Sequence, residues 1–278
     1  MAKPNAKPEA KQEAPKTETT AVATANENES LVMVQDQVPD YIKQGESRGS
    51  ENVGADDIVI PRLEVVQALS PCVKEGDPAF NELARPGMLM NSVTKQLYGK
   101  EVMVVPVYYT KQWLVWKARK DKAGKPLEGG FFGSFPDEFA AKERAEEEGG
   151  VEGNIEIIDT PQHLCLIINP TGFSIDEVMI SMPRTKAKIS RQWNSMVRLA
   201  GDDRFSRVYR ITTQLEKKAQ GDYYNFAIAQ SGFPNQRLYK RAEELYVQIA
   251  AGDRKVVMDV NDYDAPGSSS APDSDAEM

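Results

Sequence analysis

The chain of 278 residues is 40% hydrophobic and 27% charged, carries a formal net charge of −8, and has two cysteines and one histidine. That balance supports a buried core of ordinary size and excludes a fibrous or low-complexity protein. No apolar run approaches the roughly 18 residues a spanning helix needs, and the first residues lack the apolar centre of a secretory signal; a soluble intracellular protein is expected.

The charge is segregated. Residues 256–278 hold six acids (Asp259, Asp262, Asp264, Asp273, Asp275, Glu277) and no Lys or Arg, and 1–50 hold eight acids against six bases, which leaves 51–255 neutral overall. Within that neutral part, 107–125 has six bases and one acid, and 181–218 ten bases and three acids. An acidic end is therefore attached to a body with two basic patches.

Residues 1–52 are rich in Ala, Lys, Glu, Pro and Thr without a sustained apolar period, which predicts a disordered N-terminal tail. A single folded domain is expected over 53–252. Short runs rich in Val, Ile, Tyr and Met, broken by Pro and Gly, predict strands at 58–69, 87–97, 101–117, 154–168 and 174–182. Two more, 205–217 and 222–231, flank Gln220-Gly221-Asp222 and read as a hairpin. Helices are expected at 136–148, 184–200 and 235–251. Residues 253–278 offer almost nothing to bury and predict a disordered acidic C-terminal tail. The fold class is mainly β (α+β), either an OB-like β-barrel or a curved antiparallel sheet, with appended helices.

Two segments carry the functional signal. In VYYTKQWLVWKARKDKAGK (107–125), strand alternation sends Tyr109, Lys111, Trp113 and Lys117 to one face and Tyr108, Gln112, Leu114 and Trp116 to the other, with Arg119 and Lys120 beyond. Around 184–200, a helical wheel centred on Trp193 gathers Ile189, Met196, Val197 and Ala200 within ~60° and places Lys188, Arg191 and Arg198 opposite. The hairpin repeats the mixture with Arg204, Phe205, Arg207, Tyr209, Arg210, Tyr223, Tyr224 and Phe226. A single strand of nucleic acid presents phosphates on one edge and unstacked bases on the other, so its binder combines cations with flat rings. The expected contacts are Tyr109, Trp113 and Trp116 for stacking and Lys111, Lys117, Arg119, Lys120, Lys188, Arg191, Arg198, Arg207 and Arg210 for phosphates. Trp193 is assigned to the core, and His163, in QHLCLIIN, to packing within a strand. Duplex-reading motifs are absent.

With its acidic end, the arrangement resembles bacteriophage-type single-stranded DNA-binding proteins, in which an OB-type body carries an acidic C-terminal tail. DDIVIPRLEVVQALSP (56–71) and KISRQWNSM (188–196) are similar to segments of phage replication-module proteins. The resemblance implies sequence-independent coating of single-stranded DNA, with RNA as the alternative, in the host cytoplasm. It also implies hand-over to replication or recombination proteins through the acidic tail, and leaves the oligomeric state open. One departure stands out: many such tails end in an aromatic or apolar docking residue, whereas this chain ends Asp275-Ala276-Glu277-Met278.

Enzyme signals are thin. G-x-x-x-x-G-K-[ST] and G-x-G-x-x-G do not occur. Glu216-Lys217-Lys218 reads as the E-x-K of a Mg²⁺-dependent nuclease, which Asp176, Asp202 and Asp203 would have to complete. A structural or regulatory interaction protein that binds no nucleic acid is the remaining alternative, and no catalytic role is assigned.

Overall fold

A computed structural model describes residues 48–53, 59–118, 128, 130–168, 175–218 and 221–252. The chain divides into two units, Met1–Glu51 and Asn52–Met278; in the first, the Gly49 amide donates to the Glu51 carboxylate. Every element below belongs to the second unit. The acidic residues of 253–278, with Arg119 and Lys120, lie outside the described residues, as does most of the tail expected at 1–52.

The body is mainly β, with two antiparallel sheets and three helices. Its spine is β4 (Glu101–Lys117), seventeen residues of alternating and continuous apolar character. Along one edge of β4 runs β6 (Ile155–Ile168), followed by β7 (Ile175–Ser181). The other edge is shared: β8 (Val208–Lys218) pairs with Glu101–Val104, and β5 (Gly130–Phe135) with Trp113–Lys117. Outside β8 lies β9 (Gly221–Gly232). Pro106 falls in the stretch of β4 between these partners, beside a register shift at Pro106/Tyr108, where a missing N–H costs no ladder bond on that edge.

The second sheet consists of β1 (Leu63–Val65), β2 (Leu89–Asn91) and β3 (Leu97–Gly99). Strand 58–69 of the sequence reading shrinks to three residues because its flanks serve the larger sheet. Pro61 accepts from the Met179 amide of β7 at 2.7 Å. Gln67 uses its carboxamide as a strand would, accepting from the Tyr224 amide and donating to the Tyr224 carbonyl of β9, both at 2.8 Å. Residues 61–67 thus reach from one edge of the large sheet to the other. Both edges are covered and do not meet, so the sheet stays open and the barrel alternative is not adopted.

Helices cover part of each face of the large sheet. Helix α3 (Gln236–Ala250), capped by Asn235 accepting from the Leu238 amide at 2.8 Å, packs Leu238, Ala242, Leu245 and Ile249 against Val105, Val107, Leu114 and Trp116. On the opposite face, α2 (Ala187–Ala200) inserts Trp193 among Val104, Ile167, Tyr209 and Ile211. At the far end of β4, α1 (Glu138–Glu147), capped by Asp137 accepting from Ala140, sets Ala141 and Ala145 on Val115. Among the described residues no helix is long and apolar enough to cross a membrane.

Gly87 sits where the small sheet meets β9. Its φ is +85°, and a Cβ there would lie 2.6 Å from the Tyr224 ring, whose backbone Gln67 holds on both sides. Gly87→Ala is expected to destabilise the body by about 2 kcal/mol or more, from backbone strain and overpacking together. Urea unfolding reads this as a lower midpoint at unchanged slope.

Candidate nucleic-acid interface

The register of β4 and β6 places Tyr109 opposite His163, Lys111 opposite Pro161 and Trp113 opposite Asp159. Tyr109, Lys111 and Trp113 share one face and are all half-buried. They lie in a row along β4 between the parts of the strand that two helices cover. At one end Trp193 of α2 stacks on His163 (4.5 Å, 13°), and at the other α1 covers Val115. Lys111 Nζ lies 4.8 Å from the Trp113 ring centroid and pairs with Asp159 at 2.8 Å, an exposed pair worth a few tenths of a kcal/mol. Lys117 lies half-buried at the strand's end on the same parity.

Below the Tyr109 end is a polar cluster that sequence reasoning did not assemble. Arg204, in the loop between α2 and β8, places its guanidinium 5.3 Å from the Tyr109 ring centroid. Its Nη2 donates to His163 Nδ1 at 2.7 Å and to Asn194 Oδ1 at 3.0 Å. Because Nδ1 accepts, the histidine proton sits on Nε2 and is donated to Ser190 Oγ at 2.8 Å. This Ser–His contact is therefore the reverse of what nucleophile activation requires, since the nitrogen facing the hydroxyl carries a hydrogen and not a lone pair. Burial, with Arg204 adding to it, holds the His163 imidazole well below its ordinary pKa. Burial likewise disfavours the charged form of Arg204.

The other expected contacts separate into three groups. Lys188, Arg191 and Arg198 are exposed on the outer side of α2, opposite Trp193, as the helical wheel predicts. Trp116 is not open to a base: it is 9% exposed, packed 4.6 Å from Phe131 and buried with Leu238 and Leu245 of α3, because its parity on β4 points to the α3 face. Arg207 and Arg210 do not join that row. Arg207 pairs with Asp202 at 2.9 Å and lies over the Phe233 ring. Arg210 is exposed on the opposite face of the sheet, since its neighbours Tyr209 and Ile211 turn inward under α2.

Glu216 is also committed, receiving hydrogen bonds from Tyr223 and Asn225. Among the described residues no three of His, Cys, Asp and Glu are grouped to hold a metal ion. A cavity of about 530 Å³ lies in the β1–β3 layer, lined by Glu64, Cys72, Phe80, Leu83 and Lys95 among others, and shares no residue with the row of Tyr109, Lys111 and Trp113. Burial raises both the Cys72 thiol and the Glu64 carboxyl there, so the thiol is a poor nucleophile.

The structure is that of a mainly β protein with two sheets and a strand face where rings alternate with a cation. The chain belongs to the family described as Pam3 phage gp34-like protein, whose model matches residues 26–255. Comparison with curated proteins gave no match, and neither did comparison with solved structures. The family match stops before the acidic residues of 256–278.

Proposed function

We propose that this phage-family protein binds single-stranded DNA without regard to sequence, along the strand face that carries Tyr109, Lys111 and Trp113. The observation that carries the reading is that two part-buried rings stand two residues either side of a lysine on one strand face. A base can stack on each ring while the phosphate between them meets the ammonium group. Lys188, Arg191 and Arg198 add positive charge on the outer side of α2, and single-stranded RNA presents the same chemistry. The acidic residues of 256–278 serve replication or recombination partners and compete for the basic surface when nucleic acid is absent, by charge complementarity.

The test is titration of tryptophan fluorescence with oligo-dT at several salt concentrations. Quenching together with a steep negative log–log salt slope is expected, and Trp113→Ala is expected to weaken binding by about 5- to 150-fold, the ~1–3 kcal/mol of one stacked base. Removing 256–278 is expected to tighten binding at low salt. Absence of quenching in the intact chain would instead favour a phage structural or regulatory interaction protein. That second reading draws on the acids that neutralise Lys111 and Arg207.

A further inference from the structure

We infer that Arg204 is a built anion receptor at the Tyr109 end of that strand face, taking a phosphate group through its guanidinium. The inference deepens the single-strand reading by placing a backbone phosphate at one end of the site, and it rests on that reading only for the identity of the phosphate's carrier.

The argument begins with an imbalance. A buried cation is normally matched by a carboxylate, because removing a guanidinium from water is costly unless charge and hydrogen bonds are restored. Among the described residues Arg62, Arg144, Arg184, Arg207 and Arg241 each have an acid within 4.0 Å. Arg204 is part-buried and has none. Its two hydrogen-bond acceptors, the imidazole of His163 and the amide oxygen of Asn194, are both neutral, and the face of Tyr109 adds only the attraction of a ring quadrupole. The positive charge is therefore held in place but not cancelled.

The holders are themselves rigid. His163 is fully buried and locked between Arg204, Ser190 and the Trp193 ring. Asn194 stands on α2, one residue after Trp193. Asp202 and Asp203, in the same loop and the nearest acids in sequence, are spoken for: Asp202 accepts from Arg207 and Asp203 from the Tyr239 hydroxyl at 2.7 Å. Two acids within two residues are thus engaged elsewhere while the guanidinium stays unpaired. Preorganised donors of this kind recognise a phosphate, and Arg suits them because its planar fork keeps donors in reserve after Nη2 is engaged. The guanidinium lies over one face of Tyr109, so a base would stack on the other face, with Arg204 at the same ring.

The chain contains a single histidine, 2.7 Å from Arg204, so ¹⁵N-histidine labelling of the full-length protein gives one imidazole reporter. Inorganic pyrophosphate is the probe, with sodium chloride at matched ionic strength as control. A saturable shift of the His163 ring nitrogens with pyrophosphate and none with chloride is expected, and the shift should vanish in Arg204→Gln. If Arg204→Gln does not fold, the wild-type titration still decides, because no shift, or the same shift with chloride, overturns the inference. Oligo-dT separates it from the proposed function. Tryptophan quenching by oligo-dT with no His163 shift from pyrophosphate removes the anion receptor and leaves single-strand binding intact. A pyrophosphate shift in a protein that ignores oligo-dT keeps the receptor and removes that function.

Discussion

Replacing Trp116 by alanine is expected to lower stability by about 3–5 kcal/mol, the range for deleting a large aromatic from a packed core. Trp113→Ala, on the same strand, is expected to lower the unfolding midpoint clearly less. The two side chains are three residues apart and so lie on opposite faces of β4. Trp116 fills space between Phe131 and the Leu238, Ala242 and Leu245 stripe of α3. Its loss leaves a cavity that neither a seventeen-residue strand nor a capped helix can readily close. Trp113 is half-buried, touches the α1 cluster with part of its ring, and carries Lys111 above it. Urea denaturation of both variants decides the matter. A much larger midpoint drop in Trp116→Ala supports the assignment of Trp116 to the core and Trp113 to the open strand face, and equal drops would leave no ring of β4 free to stack beyond Tyr109.

Much of the fold was legible because its signals are local. Strand β6 is an apolar run between Asn154 and Asn169-Pro170, β4 starts just after Gly99, and β7 ends just before Pro183. Asp137 and Asn235 are recognisable helix caps, and both accept the expected amide. Strand β5 escaped notice because GFFGSF reads as a glycine-rich loop, yet Gly133, at φ +138°, packs its open side against the Phe135 ring within the pairing. Strand β1 was overestimated since period-2 patterning cannot show that Pro61 and Gln67 bond the edges of another sheet. The site follows the same division. Alternation assigned Tyr109, Lys111 and Trp113 to one parity and Trp116 to the other, but which parity a helix covers is a tertiary fact. The exposed face of α2 was readable from its wheel because a helix on a sheet has one dry side. Arg204 was not, because its link to His163 spans 41 residues and exists only through the packing of α2 on the sheet.

The second large effect is on pH dependence, and its sign follows from His163. In the folded protein Nδ1 accepts from Arg204, so protonating it would break that bond and place two cations side by side in a buried site. Burial, and then Arg204, holds the imidazole well below its ordinary value of about 6.5. The unfolded chain protonates normally, so below about pH 6.5 it binds a proton that the folded chain refuses, and stability is lost as pH falls, at up to about 1.4 kcal/mol per pH unit. The groups facing His163 include no carboxylate: Tyr109 on β4, Ser190 and Asn194 on α2, and Arg204 in its loop; Cys165, whose thiol donates to the His163 carbonyl, is raised by burial, away from that window. Glu64 works in the other direction, because burial raises its carboxyl and its contribution is lost as pH rises. A comparison with a non-titrating variant therefore isolates the histidine. His163→Gln can keep an acceptor for Arg204 and a donor for Ser190 without titrating. Urea midpoints for both proteins between about pH 5 and pH 8 are expected to converge at the acid end, the parent losing stability more steeply. Parallel profiles would mean that His163 is protonated as readily in the folded state as in the unfolded one, and that the tautomer on which the Arg204 network depends is not the one present.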